Sequence, residues 1–400
     1  MFNRRDVLKS LSLTALAGSA PGLAFAAPDS QAKFVLIVLR GAVDGLAVAA
    51  PYGDGNYEKV RGELAIPKPG AAGGLLALDG MFGLHPSLAN VHRSFVTGEA
   101  SIIHAVASPY RERSHFDGQD MLESGATRVG GHRDGWLNRA LAQFDNRLGS
   151  EKAIALAQNT PLVLRGGNSV TSWAPSKLPD ADASTLARLQ RIYADDEFFA
   201  TRLQQAIRSQ EIAGEQSKMD QSKRRGNEAQ QFADLMKSAA RFLITEGGPT
   251  IAVAELGGWD THANQGSSTG ALANRLAGLD AGLGHLRDGL GESWDQTVVA
   301  VVTEFGRTVH VNGTRGTDHG TGTAALLMGG AVDGGKLIAD WPGLGKSDLY
   351  AGRDLLPTTD VRSLFKGVLV DHLELSPTFI NREVFPHSTA AKPLRDLIKT

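Results

Sequence analysis

The sequence predicts an α/β fold: a three-layer α/β/α sandwich built on a mostly parallel sheet. Three observations carry that expectation. Residues 33–39, 250–256 and 298–302 are continuous apolar runs rich in β-branched residues, the pattern of strands buried on both faces. Between such runs lie stretches whose apolar residues recur three and four apart, as on the buried face of a helix. Strands and helices alternate along the chain without an internal repeat, which predicts parallel pairing with helices on both faces.

Composition narrows the function. Four hundred residues with 42% hydrophobic content can bury a large core, and a net charge of −2 suggests neither nucleic acid nor an anionic membrane as partner. Cysteine is absent. Disulfides, thiolate metal sites and Cys nucleophiles are therefore excluded, and any metal must be held by imidazole or oxygen.

In chain order, residues 1–26 read as an export signal. Arg4, Arg5 and Lys9 precede an apolar stretch from Leu11 to Phe25, and Ala24-Phe25-Ala26 fits cleavage before Ala27. Gly18, Pro21 and Gly22 break that stretch, so it makes a poor membrane span, and no other segment is apolar enough for an integral one. Residues 27–400 read as a single domain. Strand 33–39 ends in Arg40-Gly41-Ala42-Val43-Asp44, which puts Asp44 just past the strand. Residues 51–80, rich in Gly and Pro, read as a surface excursion. His85-Pro86-Ser87 leads into a helix through Leu88, Val91 and Phe95, and Ser101 to Val106 is a further strand. Ser114 is placed as the N-cap of a helix that runs through Met121 and stops near Gly125. Leu162 to Leu164 reads as a short strand. From about 183 to 246, helix formers and charges dominate, predicting two long helices broken near 214–226 and forming a helical insertion. Strand 250–256 and a helix through Leu272 to Leu286 follow, and Asp360 to Leu373 forms the last amphipathic helix.

The chemistry gathers at strand ends. Asp44, Asp260-x-His262, Glu304 and Asp318-His319 each sit on or just beyond a predicted strand end, and in a parallel sheet those ends share one edge. Carboxylates with neutral imidazoles are the ligand set of divalent ions, so Asp44, Asp260, His262, Asp318, His319 and Glu304 are candidate ligands for one or two of them. Zn or Mn is favoured and Ca is allowed. Arg113 and Arg307, with Arg40, are candidates for bidentate contact to an oxyanion. Ser114 is the candidate nucleophile, since a helix amino terminus favours an attacking or transferred anion; otherwise it serves only as a cap. His115 is a candidate general acid or ligand. His104 and His85 read as structural.

The motifs together resemble a known family. LRGAVDGL, LHPSL, RSHFDGQDMLESG, GGWDTHANQ, TEFGRT and GTDHGTG are similar to those of an exported bacterial family called domain of unknown function 1501, grouped with the alkaline phosphatase and sulfatase-like superfamily. The likeness covers essentially the whole chain after the signal. The paired arginines followed by Val-Leu-Lys resemble a twin-arginine signal, which implies the twin-arginine translocase as partner and the periplasm as destination. The superfamily implies metals at the carboxyl edge of the sheet, a first ligand matching Asp44, a helix-starting nucleophile matching Ser114, and a later Asp-His pair whose place is taken either by Asp318-His319 or by Glu304. Two departures stand out. Asp260 and His262 are closer in sequence than the superfamily's Asp-x-x-x-His, and no His nearer the carboxyl terminus sits in a third-ligand motif.

The resulting expectation is an exported metal-dependent hydrolase of phosphate or sulfate esters, acting on a small-molecule or polymeric ester. The alternative is a non-catalytic periplasmic binding or assembly protein on a degenerate hydrolase scaffold. A metal-free serine hydrolase is disfavoured, since no Gly-x-Ser-x-Gly elbow surrounds Ser114.

Overall fold

The computed structural model describes residues 32–144, 152–175, 182–213 and 228–399. The expected signal, residues 1–26, and the break near 214–226 lie outside them. Nine strands form the central sheet: β1 (Lys33–Leu39), β2 (Ala100–Ala107), β3 (Ala153–Leu156), β4 (Thr171–Ser172), β5 (Ile251–Leu256), β6 (Thr297–Thr303), β7 (Thr323–Met328), β8 (Lys336–Ile338) and β9 (Thr359–Asp360). Their order is β8-β2-β7-β6-β1-β5-β3-β4, with β9 also pairing to β2. Pairing is parallel except at β7, which runs antiparallel to both β6 and β2. The three-layer α/β arrangement is as expected.

That one reversal positions the site. β6 ends at the carboxyl edge and β7 begins there, so the whole connection 304–322 stays on that edge. It folds back as a narrow ribbon: Gly306 N–H donates to Thr321 O (2.8 Å), Thr308 N–H to Asp318 O (2.8 Å) and Gly320 N–H to Gly306 O (2.8 Å). Further bonds from Thr317 N–H to Thr261 O, and from Gln265 N–H to Arg315 O, stitch it to the segment after β5. Gly316 permits the close approach, since a Cβ there would lie 2.4 Å from the His262 backbone.

Apolar side chains fill both faces of the sheet. One layer packs Leu272, Leu276, Leu279, Leu283 and Leu286 from helix Ala271–Leu290 against β1, β5 and β6. The other packs Leu364, Phe365 and Val368 from helix Val361–Asp371 with Trp136. That last helix is capped by Asp360, whose carboxylate accepts from Arg362 N–H (2.9 Å).

Several expectations need correction. Leu162–Leu164 is a 3-10 turn, closed by Leu164 N–H on Pro161 O (3.0 Å), although Val163 and Leu164 are buried as a strand's would be. The strands β3 and β4 carried no legible signal, because Ala153-Ile154-Ala155-Leu156 is short and holds one β-branched residue. Among the described residues, the segment 183–246 holds the helices Ala183–Ile192, Glu197–Ala213 and Glu228–Ile244, the two long ones on either side of the expected break. The third is part of a main layer: Phe232, Met236, Ala239 and Leu243 sit in the core beside helix Ala271–Leu290. The excursion 51–80 is not wholly superficial either, since its helix Tyr57–Arg61 buries Tyr57 and Arg61.

His104, on β2, is fully buried and structural. Its Nε2–H donates to Ala49 O (2.8 Å), and Nδ1 accepts from Ala105 N–H (2.8 Å). Burial pushes its pKa down to about 4. A depressed imidazole pKa leaves stability untouched above the unfolded value near 6.5 and removes it as pH falls toward 4, because only the unfolded chain takes up the proton. In urea titrations the protein is therefore expected to lose more stability than His104→Gln between pH 6.5 and 4, by on the order of 3 kcal/mol. Parallel pH profiles for the two proteins would sink this assignment.

Candidate metal centre

The site is assembled from three segments at the carboxyl edge. Helix His115–Ser124 presents His115 in its first turn, the segment after β5 presents Asp260 and His262, and the ribbon before β7 presents Asp318 and His319. Arg113, just ahead of that helix, has φ +63° and turns its carbonyl to accept from His319 Nδ1–H (2.9 Å).

Three side chains converge, and a fourth adjoins two of them. His115, Asp260 and His319 each offer a ligand atom within 4.8 Å of the others. His262 Nε2 lies 3.0 Å from both Asp260 Oδ1 and His319 Nε2. His319 Nε2 is 3.2 Å from Asp260 Oδ1, and His115 Nε2 is 3.5 Å from Asp260 Oδ2. Tetrahedral zinc with bonds of 2.0–2.1 Å would space its ligand atoms by about 3.3 Å, and the approaches of the three rings to Asp260, 3.0–3.5 Å, match that spacing.

Tautomers follow from the outer partners. His115 Nδ1 faces Glu304 Oε1 (2.8 Å), His262 Nδ1 faces Asp318 Oδ1 (3.0 Å), and His319 Nδ1 faces the Arg113 carbonyl. All three partners only accept, so each Nδ1 carries a hydrogen, and in the neutral ring Nε2 keeps its lone pair. Three lone pairs and a carboxylate then point at one another, and His115 Nε2 is buried with no hydrogen-bond partner. Such a cluster fits a divalent cation at its centre. Imidazoles held from behind by carboxylate or carbonyl are also the usual outer layer of a metal site.

The charges agree. Burial works against ionising Asp260, but Arg307, with His262 and His319, outweighs it and holds the carboxyl below its ordinary value. Burial likewise opposes charge on Glu304, yet hydrogen bonds from His115, Gly41 N–H (2.9 Å) and Thr303 Oγ1–H (2.9 Å) keep its pKa low. Gly41 reaches Glu304 with φ +118°, where a Cβ would lie 2.6 Å from Asp260 N. The Asn312 amide, ahead of burial and His262, lowers Asp318. Bonding to Glu304 raises His115 above its ordinary value despite burial, and burial lowers His319.

Not every expected residue joins the cluster. Asp44 is apart from it: the carboxylate is 1% exposed, ion-paired with Arg61 and hydrogen-bonded by Gln265 Nε2–H (2.6 Å). An arginine occupies the place expected for a metal, so among the described residues one multidentate group is present rather than two. Arg307 cannot face a substrate oxyanion, because its guanidinium is 1% exposed, pairs with Asp260 and donates to Thr317. Arg113 is bound to the buried Asp354 (2.8 Å), and Arg40 to Glu123 (2.7 Å) and Glu255 (2.5 Å). Glu304 and Asp318 stand behind imidazoles rather than at the centre. Ser114 occupies the N-cap position but makes no capping side-chain bond, while its N–H donates to Tyr110 Oη (3.0 Å).

The model of the family described as "Protein of unknown function (DUF1501)" matches residues 32–382. The chain belongs to this family. No curated protein matches it. Among solved structures, this DUF1501 chain is similar to a phosphonate monoester hydrolase of Agrobacterium radiobacter, at 13% identity over 86% of this chain and 74% of that one, with a TM-score of 0.37. A protein in the alkaline phosphatase superfamily from Vibrio parahaemolyticus gives 11% identity, 86% and 67% coverage and a TM-score of 0.37. The C-terminal periplasmic domain of EcEptC from Escherichia coli, in complex with Zn, gives 10% identity, 76% and 74% coverage and a TM-score of 0.30. At these scores the reading of the site rests on the DUF1501 chain's own residues.

Sequence patterns gave no role to Arg61, which lies in no quoted motif, or to Gln265, which closes GGWDTHANQ; they lie 17 and 221 positions from Asp44. They also missed Arg353, whose side chain is 42% exposed, pairs with Asp354 (3.0 Å) and donates to His319 O (2.9 Å). The outer layer yields a prediction. Asp318→Asn is expected to keep the fold, since Asp318 is half exposed, and to weaken divalent-ion affinity by about 10- to 100-fold in calorimetric titration. Affinity equal to the unsubstituted protein would show that Asp318 does not orient His262.

Proposed function

We propose that this DUF1501 protein is an exported, metal-dependent hydrolase of phosphate or sulfate esters. The observation that carries the reading is the approach of the His115, His262 and His319 rings to the Asp260 carboxylate, within 3.0–3.5 Å, at the sheet's carboxyl edge. His115, Asp260, His262 and His319 would hold one divalent cation, Zn or Mn by their chemistry. Bound there, such an ion supplies Lewis-acid neutralisation of the charge that builds on the ester oxygens.

The protein's own groups provide the rest. Ser114, uncommitted to capping, stands where the amino end of helix His115–Ser124 favours negative charge. Its Oγ is the proposed nucleophile: it bonds to phosphorus or sulfur as the ester oxygen departs, and water later cleaves that bond to restore the hydroxyl. Glu304, Asp318 and the Arg113 carbonyl orient the three imidazoles, and Arg307 orients Asp260. Arg353 is the exposed cation nearest in role to an oxyanion contact. Export rests on residues 1–26. No helix among the described residues is long and apolar enough to cross a membrane.

One observation favours the second reading, a binding or assembly protein. Arg61 neutralises Asp44, so the charge available for a second ion is already spent.

Elemental analysis of the folded mature protein, with turnover of 4-nitrophenyl phosphate and 4-nitrophenyl sulfate, separates the two. The expected result is one transition ion per chain, lost in Asp260→Ala, His319→Ala together with at least about 10³-fold in rate. Absence of stoichiometric metal after reconstitution with Zn or Mn, or full turnover in the double variant, overturns the hydrolase reading.

A further inference from the structure

A second feature lies at the sheet margin. β4 is the outermost strand on its side, and β3 separates it from β5, whose end leads to Asp260. Helix Glu197–Ala213 stands over β4 with Arg202, Gln205 and Ser209 on one face, three and four residues apart. Between that face, β4 and the loop carrying Arg165 is a cavity of about 720 Å³. Ligand sites commonly span about 300–1,000 Å³.

The lining is cationic and polar. Arg165 and Arg202 border the cavity, and no described Asp or Glu does. Arg165 spends its Nε–H on Thr160 O (2.7 Å), and Arg202 donates one bond to Gln205 Oε1 (2.9 Å). Neither pairs with a carboxylate among the described residues, so most of each planar donor fork is unused. A third observation is independent of charge. Thr171, 6% exposed, lines the same cavity, and its hydroxyl is buried without any hydrogen-bond partner. Leaving such a group unpaired beside the cavity is costly.

We infer that this cavity binds a polyhydroxylated molecule bearing an oxyanion: a sugar carrying sulfate, phosphate or carboxylate. The two arginine forks match the planar or tetrahedral oxygens of such a group. The space exceeds what an inorganic ion fills, and Gln205, Ser209 and Thr171 present amide and hydroxyl groups to a sugar's hydroxyls. The site is distinct from the metal centre and does not rest on the hydrolase reading.

The test is calorimetric titration of the mature full-length chain at low salt. The probes are glucose 6-sulfate, glucose 6-phosphate and glucuronate, with glucose and inorganic sulfate as controls. At least one anionic sugar is expected to bind about tenfold or more tightly than either control. Arg165→Gln with Arg202→Gln is expected to weaken that binding about tenfold or more, and Thr171→Val several-fold, with unchanged melting temperatures. Asp260→Ala is expected to leave it intact. If the double variant fails to fold, Arg165→Gln alone decides, since Arg165 is exposed. The inference falls if no anionic sugar binds, if glucose or inorganic sulfate binds as tightly, or if the arginine and threonine variants bind normally. It falls equally if Asp260→Ala abolishes binding, which would place the ligand at the metal centre.

Discussion

Three imidazoles and a carboxylate share one small volume, and much of the surrounding structure exists to hold them there. Left alone, facing nitrogen lone pairs and a carboxylate repel. The arrangement persists because each ring is gripped at its other nitrogen, by Glu304, Asp318 or the Arg113 carbonyl. Arg307 grips the carboxylate. Removing one grip would free a ring to rotate, which is why these outer residues matter as much as the inner four.

Beneath the site runs a buried polar chain. Arg307 donates to Thr317, Thr317 Oγ1–H to Gln265 Oε1 (2.8 Å), and Gln265 to Asp44, which Arg61 neutralises. A buried charge is tolerated only when paired, and here Arg61 balances the buried Asp44 while the buried Arg307 pairs with the more exposed Asp260. The chain joins the loops after β1, β5 and β6 into one body. The His/Asp cluster therefore sits on a braced floor rather than on free loops.

The candidate site was partly legible before any coordinates. Asp260, His262 and His319 stood out because they follow or adjoin strand ends, and a largely parallel sheet gathers those ends on one edge. Glu304 and Asp318 were found by the same logic, but their distance from the centre could not be read from spacing. Asp44 followed the first strand as expected, yet its role turned on Arg61, which arrives from an excursion with no pattern marking it as buried. His115 was ambiguous because a residue in a helix's first turn can face the site or solvent, and packing against Phe305 decides which (ring centroids 5.1 Å apart).

The sequence by itself determined the α/β class, the main buried strands, the last two long helices and the kinds of atoms available to a ligand. These follow from local periodicity and composition, which neighbouring residues encode directly. Only the tertiary structure decided that β7 runs antiparallel, that Asp44 is spent on Arg61, and that Arg307 serves Asp260 rather than a substrate. Those outcomes depend on which groups meet across hundreds of residues. A charged side chain is committed by whatever partner burial brings to it, and no local pattern records that partner.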